Sequence, residues 1–355
     1  MEFRSLKTQY TIIKSEIDAS MTRVINNANF ISGSEVSELE EKLAEYVGVK
    51  HCVSCANGTD ALSLDLMAWD IGEGDAVFVP DFTFFSSGEV VAFAGATPVF
   101  VDVEYDTCNI SCESLEKTIK AVIQEGILTP RAIVAVDLFG QPANYEHIKK
   151  IANEYNLYVL EDGAQGFGGR IGKKEACSFG DISTTSFFPM KPLGCYGDGG
   201  AVFTDNEEWA ELISSFRVHG KGNYKYDNVR IGLNSRLDTI QAAILLAKLP
   251  IFKDKELQAI NEKALYYTDD LSKVVQVPYI KEGHYSSWAQ YTIKLEDKER
   301  RDGLQSFLKE QDIPSFVYYP KPMHMQTAFE GYKVKYTDLS NTEKLCDTVL
   351  SLPIS

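Results

Sequence analysis

The sequence predicts an α/β fold, with a mostly parallel, seven-stranded sheet covered by helices on both faces and a smaller C-terminal α+β domain. Two observations predict it. Seven short runs rich in β-branched, aromatic or other apolar residues alternate with amphipathic stretches, and after the seventh the rhythm changes to helices and then to a mixed tail. The strands are expected over 51–54, 77–80, 99–103, 133–137, 157–160, 183–187 and 201–204. Most are continuous apolar runs, such as Ile133-Val134-Ala135-Val136, as strands buried on both faces are. Helices are expected between them at 61–69, 87–94 and 145–155, and beyond them at 206–216, 237–249 and 252–271, with a break at Pro250. The tail reads as a strand 288–295, a helix 298–310, a strand 315–319 and a helix 342–350. This divides the chain into a large unit 1–248, with an N-terminal arm 1–30, and a small unit 249–355.

At 44% hydrophobic and 24% charged, the 355 residues have ordinary globular composition and room for a sizeable core. The start, Met1-Glu2-Phe3-Arg4-Ser5-Leu6-Lys7, has no apolar leader, and no later run is long enough to span a bilayer, so a cytoplasmic protein is expected. The seven cysteines are odd in number, which excludes a fully paired intramolecular set and points to reduced thiols. Cys52-Val53-Ser54-Cys55 has zinc-knuckle spacing, but Cys108 and Cys112 are wider apart in a loop-like run and His51 is the only histidine nearby, so no metal is expected. A net charge of −16 disfavours nucleic acid and anionic membrane as partners. One window departs from this: Arg217, His219, Lys221, Lys225, Arg230 and Arg236 stand against a single acid, Asp227. It reads either as a site for an anionic small ligand or as a solvated loop.

Lys191 lies in Ser186-Phe187-Phe188-Pro189-Met190-Lys191-Pro192-Leu193-Gly194. Pro192 biases Lys191 away from helix and Pro189 removes a donor just upstream, so the amine is carried on a stiff turn. In a partly dry site such an amine becomes neutral more easily and can form a Schiff base with an aldehyde; an exposed turn residue is the alternative. The context favours chemistry. Ligands of open α/β sheets bind beyond the carboxyl ends of the strands. There Asn57-Gly58-Thr59-Asp60 opens a helix suited to a phosphate, or simply caps it. Asp162 ends an apolar strand, where a carboxylate needs a cation such as a protonated pyridine. Gln165 follows within donor reach of an oxygen on the same ring, and Phe84 after the second strand offers a stacking face or a core contact. Together they describe a pyridoxal-phosphate pocket.

With these residues the chain resembles the nucleotide-sugar aminotransferases of the DegT/DnrJ/StrS family, three-layer fold-type-I pyridoxal-phosphate enzymes. The resemblance runs through Cys55 to Leu62, Glu161-Asp162-Gly163-Ala164-Gln165, the lysine segment and the Cys195-Tyr196-Gly197-Asp198-Gly199-Gly200 that follows it, Gly232 to Asp238, and Tyr318-Tyr319-Pro320. It implies that Lys191 forms the Schiff base with pyridoxal 5'-phosphate and shuttles the proton, that Asp162 meets the pyridinium, and that Gln165 contacts the ring oxygen. Phe84 would stack, Thr59 and Ser186 would hold the phosphate, and Gly58 would admit the close backbone approach. Asn234 would reach the phosphate of a neighbouring subunit, which implies a homodimer with shared sites. Arg236, Tyr318, Tyr319 and His324 would face the sugar. The implied reaction takes an amino group from L-glutamate to the keto group of a nucleotide-linked sugar, most like UDP-2-acetamido-3-keto-glucuronate, for cell-surface polysaccharide or lipopolysaccharide. A dTDP-linked 3-keto or 4-keto deoxyhexose is the alternative substrate; a sugar dehydratase, which has His in place of the lysine, and a non-catalytic regulator are alternative roles. Four features depart from the family pattern. Tyr318 stands where a His is common, Met190 where a small hydroxyl residue is, and Gly163 where Ala is; relatives continue beyond Leu352-Pro353, so a C-terminal truncation is expected.

Overall fold

The computed structural model of the chain describes residues 2–224 and 226–354. Its centre is a sheet of β1 (His51–Cys55), β2 (Asp75–Pro80), β3 (Thr97–Val101), β4 (Thr129–Val136), β5 (Tyr158–Asp162), β6 (Ile182–Ser186) and β7 (Gly200–Thr204). The spatial order is β1-β7-β6-β5-β4-β2-β3. Each of the seven runs singled out in the sequence is a strand of this sheet, and only β7 runs against the others.

The helices are α1 (Leu6–Ile12), α2 (Lys14–Asn27), α3 (Ser34–Val47), α4 (Gly58–Ala68), α5 (Ser86–Phe93), α6 (Cys112–Glu125), α7 (Tyr145–Tyr155), α8 (Glu207–Phe216), α9 (Thr239–Ile251), α10 (Leu257–Leu271), α11 (Lys298–Glu310) and α12 (Ser340–Thr348). They form the outer two of three layers, because alternate residues of each strand face opposite ways. Val77 and Val79 of β2 and Val134 and Val136 of β4 pack with Leu62, Leu66, Val90, Val91 and Ile213 of α4, α5 and α8. Ala76, Phe78, Ile133 and Ala135 pack instead with Ile119, Val122, Ile148 and Ile151 of α6 and α7. On the same side, Leu39 and Leu43 of α3 and Leu245 and Leu249 of α9 cover Cys52, Ala201 and Phe203 of β1 and β7. No helix among the described residues is long and apolar enough to cross a membrane.

The N-terminal arm carries α1 and α2 and is fixed by Ile13 and Ile17 against Ile244 of α9. Two local expectations are corrected. Cys112 is not in a loop; it opens α6, which Ser111 caps by accepting the Ser114 N–H. All seven cysteines are buried and unpaired. The chain does not break at Pro250, which lies inside α9, and a π-helical turn over Phe252–Glu256 leads into α10.

In the tail, α11 has the expected bounds, but the strands differ. β8 (Tyr291–Lys294) is shorter than 288–295 and pairs with β9 (Val349–Leu352), and 315–319 is not a strand. Phe316 makes only an isolated bridge to Ser351, and the flanking Pro314 and Pro320 have no donor with which to extend it. The helix expected over 342–350 therefore ends at Thr348, and the next three residues, all buried, take the place of that strand. Leu350 completes a cluster with Ile260, Trp288, Tyr291 and Ile293. Leu350→Ala is expected to lower unfolding free energy by about 2–5 kcal/mol. Phe307→Ala, at an exposed site on α11, should cost less than about 0.5 kcal/mol. Urea unfolding of the two variants checks both values.

Candidate active site

The carboxyl ends of the parallel strands bring the expected residues together. After β1, Asn57 Oδ1 accepts the Asp60 N–H at 2.8 Å and caps α4. The helix N-terminus, with its free amides and dipole, is thereby placed at the sheet edge. Thr59 Oγ1 lies 2.8 Å from Ser86 Oγ at the start of α5. Gly58 is glycine for a spatial reason: a Cβ there would lie 2.7 Å from Ser186 Cβ at the end of β6. Gly58, Thr59, Ser86 and Ser186 thus share one corner, rich in hydroxyl and amide donors.

Asp162, the last residue of β5, is 5% exposed. Its Oδ2 accepts from Ser87 Oγ at 2.8 Å and its Oδ1 from the Ala164 N–H at 3.2 Å. Across the site, Lys191 sits on a turn closed by its own N–H to the Phe188 carbonyl and by the Cys195 N–H to the Phe187 carbonyl, both 2.8 Å. Loss of solvent pushes the Lys191 amine below the ordinary lysine range, and the charge of Asp162 only partly opposes this.

Gln165 is oriented at both ends of its amide. The Phe139 N–H donates to Oε1 at 2.8 Å, and Nε2 donates to the Tyr319 hydroxyl at 3.2 Å, leaving that nitrogen a second hydrogen. Burial raises the Tyr319 hydroxyl well above its usual range, so it stays neutral. Phe84, 53% exposed, lies with its ring centre 6.2 Å from that of Tyr319. Tyr318 leans on Phe316, at 5.9 Å, and on Phe3, at 6.3 Å.

Other expected residues are placed differently. His324 has Nδ1 2.6 Å from Asp81 Oδ2 and Nε2 3.5 Å from Glu343, and its N–H donates to Asp81 Oδ1 at 2.8 Å. Its ring ties the tail to the end of β2. Asn234 is exposed, and Arg236 donates to its side-chain oxygen at 2.6 Å. The Ser235 hydroxyl between them accepts the Ala56 N–H at 3.1 Å, beside the start of α4. In the basic window, Arg217 is engaged by Glu40 at 2.6 Å and the Ser54 carbonyl at 2.5 Å, and Arg230 by the Ser215 hydroxyl at 2.7 Å. These two arginines brace the loop. Lys225 lies outside the described residues.

Ser86 and Ser87 were not singled out by sequence, although adjacent hydroxyls opening a helix just after Phe84 were the available signal. The Gly163 departure has a local cause. A Cβ at 163 would lie 2.5 Å from Cys177 Sγ and 3.0 Å from the Thr184 carbonyl, so Cys177 fills the space an alanine would need.

A family model described as the DegT/DnrJ/EryC1/StrS aminotransferase family matches residues 11–355. The chain is 43% identical over 357 residues to the UDP-2-acetamido-2-deoxy-3-oxo-D-glucuronate aminotransferase of Pseudomonas aeruginosa, covering 100% of this chain and 95% of that one. It is 40% identical over 353 residues to a pleiotropic regulatory protein of Geobacillus stearothermophilus, covering 98% and 92%. The crystal structure of a DegT DnrJ EryC1 StrS aminotransferase from Brucella abortus matches with a TM-score of 0.97 at 49% identity, covering 100% and 94%.

The packing at Gly163 gives a direct test. Gly163→Ala should cost about 1–3 kcal/mol by overpacking. Combined with Cys177→Ala it should cost less than the sum of the two single losses, as contacting sites do. Chemical denaturation of the three variants measures that coupling; simple additivity would refute the contact.

Proposed function

The chain belongs to the DegT/DnrJ/EryC1/StrS aminotransferase family, and on that premise we propose that it is a pyridoxal 5'-phosphate enzyme that transfers the amino group of L-glutamate to a nucleotide-linked keto-sugar. The observation that carries the reading is the convergence at one sheet edge of the Lys191 turn, the buried Asp162 carboxylate fixed by Ser87 and Ala164, and the hydroxyl-rich corner of Gly58, Thr59 and Ser186. The surrounding residues fit the cofactor. Asp162, aimed by Ser87 and Ala164, would hold the ring nitrogen, and the donors of the Gly58, Thr59 and Ser186 corner the phosphate. The second amide hydrogen of Gln165 would meet the ring oxygen, and Phe84 would cover a ring face. When bound, the cofactor supplies an electron sink for the carbanion left by proton removal beside the amine. Lys191 Nζ, pushed below the ordinary lysine range by loss of solvent, is suited to take and return that proton.

For the acceptor we propose UDP-2-acetamido-3-keto-glucuronate, on the printed name of the Pseudomonas relative, and a cytoplasmic role in cell-surface polysaccharide or lipopolysaccharide synthesis. The active sites are shared in a homodimer. Supporting this, Phe30, Ile31, Phe188, Tyr224, Val229 and Ile231 are large and exposed, Phe188 lies beside Lys191, and the 226–231 loop leads to exposed Asn234. A small C-terminal unit is supported by the separate apolar cluster around Trp288 and Tyr291. The name of the Geobacillus relative keeps a regulatory role as the second reading.

Purified protein is expected to be yellow and to bleach with glutamate, and Lys191→Ala should abolish bleaching. A wild type that never binds the cofactor would leave the regulatory reading standing. Among UDP- and dTDP-linked 3-keto and 4-keto sugars, turnover confined to 4-keto compounds would sink the proposed acceptor. Arg236→Ala should weaken sugar binding and leave bleaching by glutamate intact; equal loss of both would place Arg236 in the shared part of the site.

A further inference from the structure

The turn that carries Lys191 is held from outside by two cations. Arg4 Nη1 donates to the Met190 carbonyl at 3.1 Å and Nη2 to the Pro192 carbonyl at 3.2 Å, so one guanidinium straddles Lys191 through both of its neighbours in sequence. Lys248 of α9 donates through Nζ to the Gly194 carbonyl farther along the same turn. Lys248 is only 1% exposed and packs 5.1 Å over the Tyr196 ring. Burial brings its pKa down to about 8, while Glu256 acts to keep it charged.

Arg4 is itself anchored. Phe3 packs its ring 4.9 Å from Phe316 and 6.3 Å from Tyr318. Gln9 donates to both Glu256 oxygens, at 2.8 and 3.1 Å, and the charge of Glu256 favours the Arg4 cation as well. Ile13 and Ile17 fix the following helices on Ile244 of α9, the helix that also carries Lys248. The N-terminal segment and α9 therefore act on one turn as a unit.

We propose that Arg4, supported by Lys248, is a positioning residue for Lys191: its planar fork fixes the Met190–Lys191 peptide through the Met190 carbonyl and the Pro192–Leu193 peptide through the Pro192 carbonyl, and so sets where the amine stands. The proposal rests on Lys191 being the cofactor-bearing lysine. Water could satisfy the same carbonyls, but it would not resist their rotation when Lys191 leaves and returns. A rigid fork bonded to two acceptors does, and an ammonium, a point charge, cannot replace it.

The test uses the full chain as purified, with Arg4→Ala, Arg4→Lys and Lys248→Met. Arg4→Ala is expected to speed hydrogen exchange at the Lys191 and Cys195 amides, shift the pH midpoint of the bound cofactor's visible absorption, and slow single-turnover bleaching by glutamate about tenfold. The half-saturating glutamate concentration and the melting temperature should stay close to wild type. Arg4→Lys should not restore the wild-type midpoint, and Lys248→Met should move the same readouts in the same direction. An unchanged midpoint and bleaching rate in Arg4→Ala would overturn the proposal, as would full recovery in Arg4→Lys or losses that merely track melting temperature. If Arg4→Ala does not fold, Lys248→Met decides by the same readouts. A wild type without visible absorption refutes the reading of Lys191 instead, and hydrogen exchange in the variants still shows whether Arg4 holds the turn.

Discussion

Lys191 stands between two opposing effects, and the rest of the site follows from their balance. Removal of water drives its amine toward the neutral form, whereas the Asp162 carboxylate favours the proton. Neither effect operates alone: without Asp162 the site would lack its counter-charge, and without burial the amine would remain an ordinary solvated ammonium. The sheet supplies both conditions. Parallel strands put Asp162 of β5 and Ser186 of β6 at one edge, and the reversed β7 follows the lysine turn back across the sheet beside β6. The close approach of Gly58 to Ser186 then brings the α4 N-terminus against the same edge.

The carboxylates behind this edge show what distinguishes Asp162. Glu161, one residue earlier, points to the opposite face and accepts from the Cys177, Phe179 and Gly180 N–H groups and from the Ser183 hydroxyl. Those four donors fill a carboxylate's usual accepting capacity, so Glu161 is a structural knot holding the 177–180 turn. Among the described residues, Asp162 accepts from Ser87 and Ala164 alone. Its orientation is fixed while accepting capacity remains, which is the condition for meeting a ligand's cation. Two adjacent acids on one strand thus differ in role by the donors their surroundings provide.

The strands were legible because burial on both faces writes a short apolar run into the chain, as in Ile133 to Val136. The lysine turn was legible because two prolines restrict it whatever surrounds it. What could not be read depended on contacts distant in sequence. Val349 to Leu352 continues an apolar helical pattern, and only pairing with Tyr291–Lys294 makes it a strand. His324 stands four residues beyond Pro320 in sequence, yet Asp81 and Glu343 claim its ring. Ser86 and Ser87 look like ordinary helix-opening hydroxyls until Thr59 and Asp162 are seen to receive them. Arg4 looks like a solvated terminal residue, and nothing local to it announces a bond to the lysine turn.

The basic window illustrates why a count of charges is not yet a binding site. The −16 net charge repels an anionic substrate at long range, so attraction must come from cations whose charge is not already matched. Arg217 fails that condition, since the Glu40 carboxylate 2.6 Å away neutralises it within the fold. Arg236 meets it: its bonded partner, the Asn234 amide oxygen, is neutral, so the orienting bond leaves the full charge available. The Ser235 tie to Ala56 places the residue before Arg236 beside the start of α4, where amides and helix dipole favour anions already. The window therefore divides by partner: Arg217 is neutralised within the fold, whereas Arg230 and Arg236, bonded to a hydroxyl and to an amide oxygen, keep their full charge.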